Sequence, residues 1–433
     1  MNHLSGKTLL VMDRTALAAC AVKRAKELGI RTIVANFYPT IQSPSKQIAD
    51  IAVDIDISDI DAMLTLIKDY DIDGIFVGWT DSHLPFYYEI CYQAGLPCCG
   101  TKEQFDILSN DKRMFKSNCR KYGVPTIPEY NLDYRLLRED LDNIEYPVIV
   151  KPADESGSRG VKRCDNEEEL VTYYSELYAS SKSKKIICEK FIASNKEIFI
   201  HYTVQNGKCS LSSAFMKHKS KSEVTAAASA ILHVFPSSYI DLYRETTESS
   251  VVRMIEGLGI QNAVLNYQGF IDDDKFYFYE SGLRMGGEQH YIFSNQLNGI
   301  NALDMMIEFS LTGNITCANV LEQDNANYSK SCCNYYVTLK PGVIKTIEGI
   351  EEIENWPQVL QILTFHSVGD EISSTNSLDR VIYRMHVMDD TKEKLAEVLQ
   401  RISSTLRIRS ENDEEMQIEE LTYERAYEMI SNS

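Results

Sequence analysis

The sequence predicts an α/β protein in three parts: an N-terminal doubly wound parallel sheet, a central α+β module and a C-terminal α+β unit. Three observations carry this. Strand-length apolar runs alternate with helix-period segments over roughly the first hundred residues, the pattern of parallel pairing. From about residue 145 that alternation yields to hairpins with short polar turns. From about residue 333 new strands precede one amphipathic helix.

Taken in order, "TLLVMD" (8–13) reads as a strand, and Leu17, Ala21, Val22, Ala25 and Leu28 recur at helical spacing until Gly29. "IRTIVAN" is the next strand, and "MLTLIKDY" followed by "DGIFVGW" repeats the unit. "LPFYYEICYQAG" is a further helix ending at a glycine. Ligands of such sheets sit beyond the carboxyl ends of the strands, which singles out Asp13, Asn36 and "GWTDSH" (78–83). A glycine-rich dinucleotide fingerprint is missing after the first strand, where the chain reads "DRTALA". Two helices follow, "TKEQFDILS" with Thr101 and Gln104 spaced as a capping box, and "DKRMFKSNCRKY" closed by Gly123. "EEELVTYYSELY" is a helix and "IICEKFI" a strand; "EIFIHYTV" and "CSLSSAF" flank an Asn206–Gly207 turn. "KHKSKSEVTAAASA" (217–230) is small, polar and expected to be mobile. A second hairpin spans 264–280 and turns at "DDDK". Beyond it, "YYVTLKPGVIKTIEGIEEI" and "RVIYRMHVM" are strand regions. "TKEKLAEVLQRISSTL" is a helix with Asp389 or Asp390 expected as its cap; this end of the chain is read as a separate unit without obvious chemistry.

With 433 residues, a formal charge of −19 and pI near 4.9, a general nucleic-acid or membrane-surface binder is not expected. Any anion site must be a local concentration of cations on an acidic body. The N-terminal apolar run is too short for a signal peptide, and no stretch of 18 apolar residues occurs. The 11 cysteines form no metal-type spacing and read as reduced thiols of a cytoplasmic protein, with Cys98–Cys99 and Cys332–Cys333 as packing residues.

Three stretches carry chemistry. In "YPVIVKPADESGSRGVKRC" an apolar strand ends at Lys151 and runs into a loop containing Ser156, Gly157, Ser158, Arg159 and Gly160. One lysine and several backbone amides there suit phosphate oxygens, although the loop is no Walker A sequence and a plain surface loop has the same composition. In "CEKFIASNKE", Glu189 ends a strand and Glu197 opens the next, an arrangement that serves a nucleoside clamp or a simple linker. In "NYQGFIDDDKFYFYESGLRMGGEQH" the hairpin folds Gln268 to within about one register step of Glu280, with Asn266 on the same face. Phe276, Phe278 and Glu280 are expected to share a face, leaving a carboxylate at the end of an apolar row. It would be held by a cation near Arg284 or by an ion pair with Arg284 itself.

In this order and spacing the stretches resemble the ATP-grasp superfamily, specifically its carboxylate–amine ligases, with biotin carboxylase, the carbamoyl phosphate synthetase large subunit and bacterial L-amino acid ligases as related folds. The resemblance divides the chain into a pre-ATP-grasp domain (1–104), an ATP-grasp domain (105–330, with a mobile lid at about 123–190) and a C-terminal cap domain (331–433). It implies Lys112 and Lys151 as nucleotide-binding lysines, Ser156, Gly157, Ser158 and Gly160 as lid loop, Glu189, Lys190 and Ile192 beside adenine, and Glu197 on ribose. "FYFYESGLRMGG" is similar to the family's metal motif, which makes Glu280 and Gln268 ligands of Mg²⁺ or Mn²⁺ and gives Arg284 the γ-phosphate. Two departures stand out. The family's second metal-binding Asn falls at Gly282, leaving Ser281, Asn266 or water to replace it, and Gln268 stands where the family usually has Glu.

The resemblance implies that ATP phosphorylates a carboxylate, and that an amine then displaces phosphate to form an amide or peptide bond, on amino-acid-like substrates. Glu288 and His290 follow Arg284 and would face the amine; Trp79, Asp81, His83, His233, Lys217 and Lys219 would border the cleft, Asp81 alternatively capping a helix. Partners would be a small-molecule carboxylate and amine, with a homodimer by family resemblance. The alternatives are a bicarbonate-activating carboxylase or carbamoyl-phosphate-type enzyme, and a nucleotide-binding regulatory protein without turnover.

Overall fold

A computed structural model describes residues 3–153, 160–181, 183–220, 230–373 and 378–433. Near the N-terminus β1 (Thr8–Val11), β2 (Arg31–Asn36), β3 (Ile51–Asp54) and β4 (Gly74–Phe76) form a parallel sheet in the order β3-β2-β1-β4. The sequence reading had no counterpart to β3, a four-residue edge strand whose side chains are only half-buried or exposed. Beyond it, β5 (Glu129–Tyr130), β6 (Val148–Pro152), β7 (Lys162–Cys164) and β8 (Ile186–Lys190) form an antiparallel sheet, order β5-β8-β6-β7. Val148, Val150, Leu170, Tyr174 and Cys188 give this part its own small core.

The central sheet has eight strands: β9 (Glu197–Gln205), β10 (Lys208–Lys219), β11 (Ala230–Phe235), β12 (Ala263–Asp272), β13 (Lys275–Gly282), β14 (Ser331–Thr338), β16 (Val359–Thr364) and β18 (Val381–Asp389). Their order is β13-β12-β9-β10-β11-β14-β18-β16; β15 (Gly342–Glu348), β17 (Glu371–Ile372) and β19 (Arg407–Ser410) make a small separate sheet. Both hairpin turns use positive φ at each central residue, 52° and 76° at Asn206–Gly207 and 47° and 56° at Asp273–Asp274. Two-residue hairpins favour such turns because they match strand twist.

One face of the large sheet is apolar. Ile200, Tyr202, Leu265, Tyr267 and Phe278 share a continuous core with Leu10, Val11 and Ile33 of the N-terminal sheet. The C-terminal segment is not the separate unit expected from the sequence. β14 pairs with β11, setting Asn334 opposite His233, and β18 and β16 extend the same sheet. The cap of helix Lys392–Thr405 is Thr391, whose hydroxyl accepts from the Lys394 amide, while Asp390 is paired with Lys330 and Lys394.

The capping box at Thr101 is present, but the helix it starts passes into a π-turn at Asp106–Asn110 before Asp111 caps helix Lys112–Tyr122. Glu308, buried on helix Ala302–Thr312, accepts from the amides of Thr316 (2.7 Å) and Cys317 (2.9 Å) and pairs with His3. Burial alone would raise its carboxyl; the donors outweigh this and hold it at about 2. A depressed carboxyl stabilises the fold above its unfolded value and stops doing so as pH falls through the folded one. Glu308→Gln is therefore expected to lower stability at pH 7 by about 2 kcal/mol. The same change should flatten the acid limb between roughly pH 4.5 and 2, read by urea melts across pH.

Candidate functional site

The other face of the large sheet is polar, and its register gathers most of the predicted residues. Across the strands run Gly282–Asn266–His201–Ser213 and Glu280–Gln268–Phe199–Phe215, then Lys217–His233–Asn334–His386, with Tyr336 opposite Arg384. Directly opposed residues project to the same side of a sheet, so these side chains form one floor.

At one edge of this floor lie the lysines. Lys112 opens its helix, and its ammonium is 3.6 Å from Glu280 Oε2. Lys151, at the end of β6, is ion-paired to Glu189 Oε1, whose other oxygen takes the fully buried Lys116 at 2.5 Å. Burial alone would raise the Glu189 carboxyl; the two ammoniums outweigh it and hold it below the usual range. This side chain is thus committed to lysines, as is the Lys190 amide to Pro128 O. The Lys190 ammonium lies 3.7 Å from Glu145, and Ile192 is buried beside them. Lys116 had no place in the sequence reading, although it stands one helical turn beyond Lys112, on the same face. Gly160 has φ 67° and accepts from the Tyr173 hydroxyl at 3.0 Å; Ser156, Gly157, Ser158 and Arg159 lie outside the described residues.

Gln268 is the direct partner of Glu280, but one expectation fails here. A β-bulge at Tyr279 shifts the register, so Phe278 opposes Gly269 while Glu280 opposes Gln268. The bulge turns Glu280 off the apolar row of Phe276 and Phe278 and onto the polar floor. Tyr279 itself reaches Glu197 Oε1 (2.9 Å) and Gln268 Oε1 (3.2 Å). Glu197 is also within 3.4 Å of Lys217 and 3.2 Å of Lys219; burial pushes its carboxyl up, and the two lysines and the Tyr279 hydroxyl bring it below normal. Oxygens of Gln268 and Glu280 on one face, with Glu280 one-third exposed, form a donor set suited to Mg²⁺ or Mn²⁺.

Arg284 does not pair with Glu280. Its guanidinium grips Asp81 through two 2.6 Å bonds and donates to Met285 O at 3.0 Å. Asp81 is therefore bound to Arg284 and is not the helix cap that the sequence offered as an alternative; Thr80 precedes the turn at that position. Burial alone would weaken the protonated guanidinium; Asp81, with the charges of Glu288 and Glu280, outweighs it. Trp79 is packed in the core against Phe76 rather than in the cleft, and burial lowers the pKa of the neighbouring His83.

Glu288 lies on the loop after Arg284, with His201 Nε2 2.7 Å and His290 Nδ1 3.4 Å from its Oε1. His201 was missed in the sequence; its Nδ1 meets Ser213 Oγ at 2.8 Å. Burial would raise the Glu288 carboxyl, but the two imidazoles hold it well below normal, while burial brings His290 down to about 4. Two histidines and a carboxylate suggest a metal centre. The rings, however, stack at 4.3 Å with a 23° tilt, so their in-plane lone pairs run side by side and cannot meet at one ion. The trio is a buried carboxylate–imidazole group, with His290 Nδ1 hydrogen-bonded to Glu288 and His201 Nε2 within ion-pair distance of the same oxygen. Gly286 permits it, because a Cβ there would overlap Glu288 Oε1 and lie 2.6 Å from His201 Nε2.

The C-terminal strands add to the floor. Arg384 donates to Gly287 O and to Gln289 Oε1 (2.9 Å), and Asn334 and His386 hold the Glu288 carbonyl at 2.7 and 3.0 Å. His233 is bonded through Nδ1 to the Tyr336 hydroxyl at 3.1 Å, and burial keeps its ring neutral. His233 Nε2, His290 Nε2, His386 Nδ1, Asn334 Oδ1 and Arg384 Nε have no hydrogen-bond partner among the described residues. Buried polar atoms seldom stay unpaired, so this concentration marks a place for solvent or ligand.

Residues 111–308 match the family described as carbamoyl-phosphate synthase L chain, ATP binding domain. The 2-oxoglutarate carboxylase small subunit of Hydrogenobacter thermophilus is 28% identical over 209 residues, covering 44% of this chain and 44% of that protein. The chain spans less than half the length of the curated relatives it matches. Among solved structures, L-amino acid ligase from Bacillus licheniformis aligns with TM-score 0.76 at 18% identity, over 94% of this chain and all of that one. The biotin carboxylase domain dimer of the Hydrogenobacter thermophilus enzyme, in complex with MgADP, ADP and bicarbonate, gives TM-score 0.76 at 20% identity, over 95% and 91%. No helix among the described residues is long and apolar enough to cross a membrane.

Proposed function

The chain belongs to the ATP-grasp superfamily through its ATP-binding domain at residues 111–308, and from that premise we propose an ADP-forming carboxylate–amine ligase acting on amino-acid-like substrates. The observation that carries this is the floor itself, where Gln268 faces Glu280 beside Lys112 and Arg284 follows. Lys112 and Lys151 take the nucleotide phosphates, with Lys151 held in place by the Glu189–Lys116 pair behind it. Glu197 serves the ribose and the strand end at Lys190–Ile192 borders adenine. Glu280 and Gln268 would hold Mg²⁺, which when bound offsets charge on the phosphate oxygens.

An oxygen of the substrate carboxylate attacks the γ-phosphorus and ADP leaves, with Arg284 opposing the charge that develops on the transferred group. The amine nitrogen then attacks the acyl carbon, the C–O bond to phosphate breaks, and the nitrogen's proton passes to Glu288 Oε2, the oxygen not shared with the two histidines. Arg384, a buried guanidinium whose bonds go to a carbonyl and an amide oxygen, offers the cation for a second substrate carboxylate. Supplying acid with ¹⁸O in its carboxylate tests the route: one labelled oxygen is expected in the released phosphate. Unlabelled phosphate would exclude an acyl phosphate. Bicarbonate activation follows the same first step and is favoured by the carbamoyl-phosphate synthase match; label from bicarbonate, rather than from an organic acid, would establish it.

A further inference from the structure

The family resemblance calls for an asparagine at position 282, yet a glycine stands there. The neighbouring strand supplies one instead. Asn266 is the register partner of Gly282, just as Gln268 is of Glu280, so the four positions form the corners of one patch on the polar floor. Opposed Cβ positions lie roughly 5 Å apart, within reach of a short carboxamide.

Steric contact shows that the two positions compete for the same space. A Cβ on Gly282 would lie 2.8 Å from Asn266 Nδ2 and 3.4 Å from its Oδ1. The Asn266 carboxamide therefore already fills the volume from which a side chain at 282 would grow. Its Nδ2 is directed to Gly282 O, 3.4 Å away, which leaves Oδ1 as the acceptor. Among the described residues no neighbour claims that oxygen: His201, opposite on β9, meets Ser213 through Nδ1, and its Nε2 lies 2.7 Å from Glu288. Ser281, the other nearby side-chain oxygen, is drawn away to Leu108 O at 2.8 Å. Asn266 is also 3% exposed, so its amide is fixed by its surroundings rather than by solvent.

We propose that Asn266 Oδ1 is the third oxygen ligand, with Gln268 and Glu280, of the divalent cation that accompanies the nucleotide. The asparagine has changed strands while keeping its place in the cation's shell, and Gly282 is the necessary complement. A neutral carbonyl oxygen is an ordinary donor to Mg²⁺ or Mn²⁺. This inference rests on the ATP-grasp reading of the Gln268–Glu280 site.

The test is Mn²⁺ binding to the full chain in the presence of ADP, followed by the paramagnetic resonance signal of free Mn²⁺, which does not depend on turnover. Asn266→Ala is expected to weaken Mn²⁺ by about tenfold or more, with metal-free ADP affinity unchanged. Asn266→Asp, which keeps an oxygen and adds charge, should bind Mn²⁺ more tightly than wild type. Gly282→Asn alone should weaken binding through the clash, and joining it to Asn266→Gly should bring affinity back towards wild type. Wild-type Mn²⁺ affinity in Asn266→Ala overturns the assignment, as does a paired variant no better than Asn266→Gly. Should Asn266→Ala fail to fold, Asn266→Asp and the paired variant still decide it. Glu280→Ala separates the two levels: if it also retains wild-type Mn²⁺ affinity, the site reading itself is wrong.

Discussion

Replacing Lys151 with alanine is expected to lower ATP turnover by about 10²- to 10³-fold, the range seen when one preorganised charge-stabilising group is removed. The geometry explains why so much rests on one side chain. Lys151 is 7% exposed at the end of β6 and held by Glu189, which the buried Lys116 fixes from the other side. In the variant Glu189 still has Lys116, so the fold keeps its buried carboxylate paired and the melting temperature should move little. The loss should appear in steady-state ADP release with circular dichroism unchanged. A variant that turns over ATP as wild type does would remove Lys151 from the reaction.

Replacing Glu288 with glutamine has a different expected signature. Acid-dependent ADP release should persist, because the first step uses the lysines and Arg284, while amide formation should fall by about 10²- to 10⁴-fold. The acyl phosphate would then be lost to water, and the ratio of amide to ADP would collapse. The substitution keeps the shape of the side chain, so the contacts around Gly286, His201 and His290 are retained sterically. Measuring amide and ADP in the same reaction checks this. An unchanged ratio would mean that Glu288 does not receive the proton.

Much of this site was legible in the sequence where local patterns specify it. The two-residue turns fixed both hairpins, and the second set Gln268 beside Glu280. Short-range alternation could not show the bulge at Tyr279, which has no marker residue and yet decides the face on which Glu280 lies. The Arg284–Asp81 bond was equally hidden, since it joins residues 203 positions apart and both partners had plausible local roles. Lys116 was the one missed residue with a sequence signal, its spacing from Lys112. His201 looked like any alternating strand residue. Arg384, Asn334 and His386 were invisible because the C-terminal strands read as a separate unit, whereas β14 adds to β11 and brings them onto the same floor. Tertiary pairing between strands distant in sequence, rather than propensity, assembled that half of the site.

The most direct measurement of the central claim is ADP and phosphate release with Mg²⁺, using pooled carboxylic acids and amino acids against a no-substrate blank, for wild type and Lys151→Ala in parallel. The account predicts release that depends on the pool and is lost in the variant. Tight ATP binding with release no greater than the blank across acids and amines would contradict it.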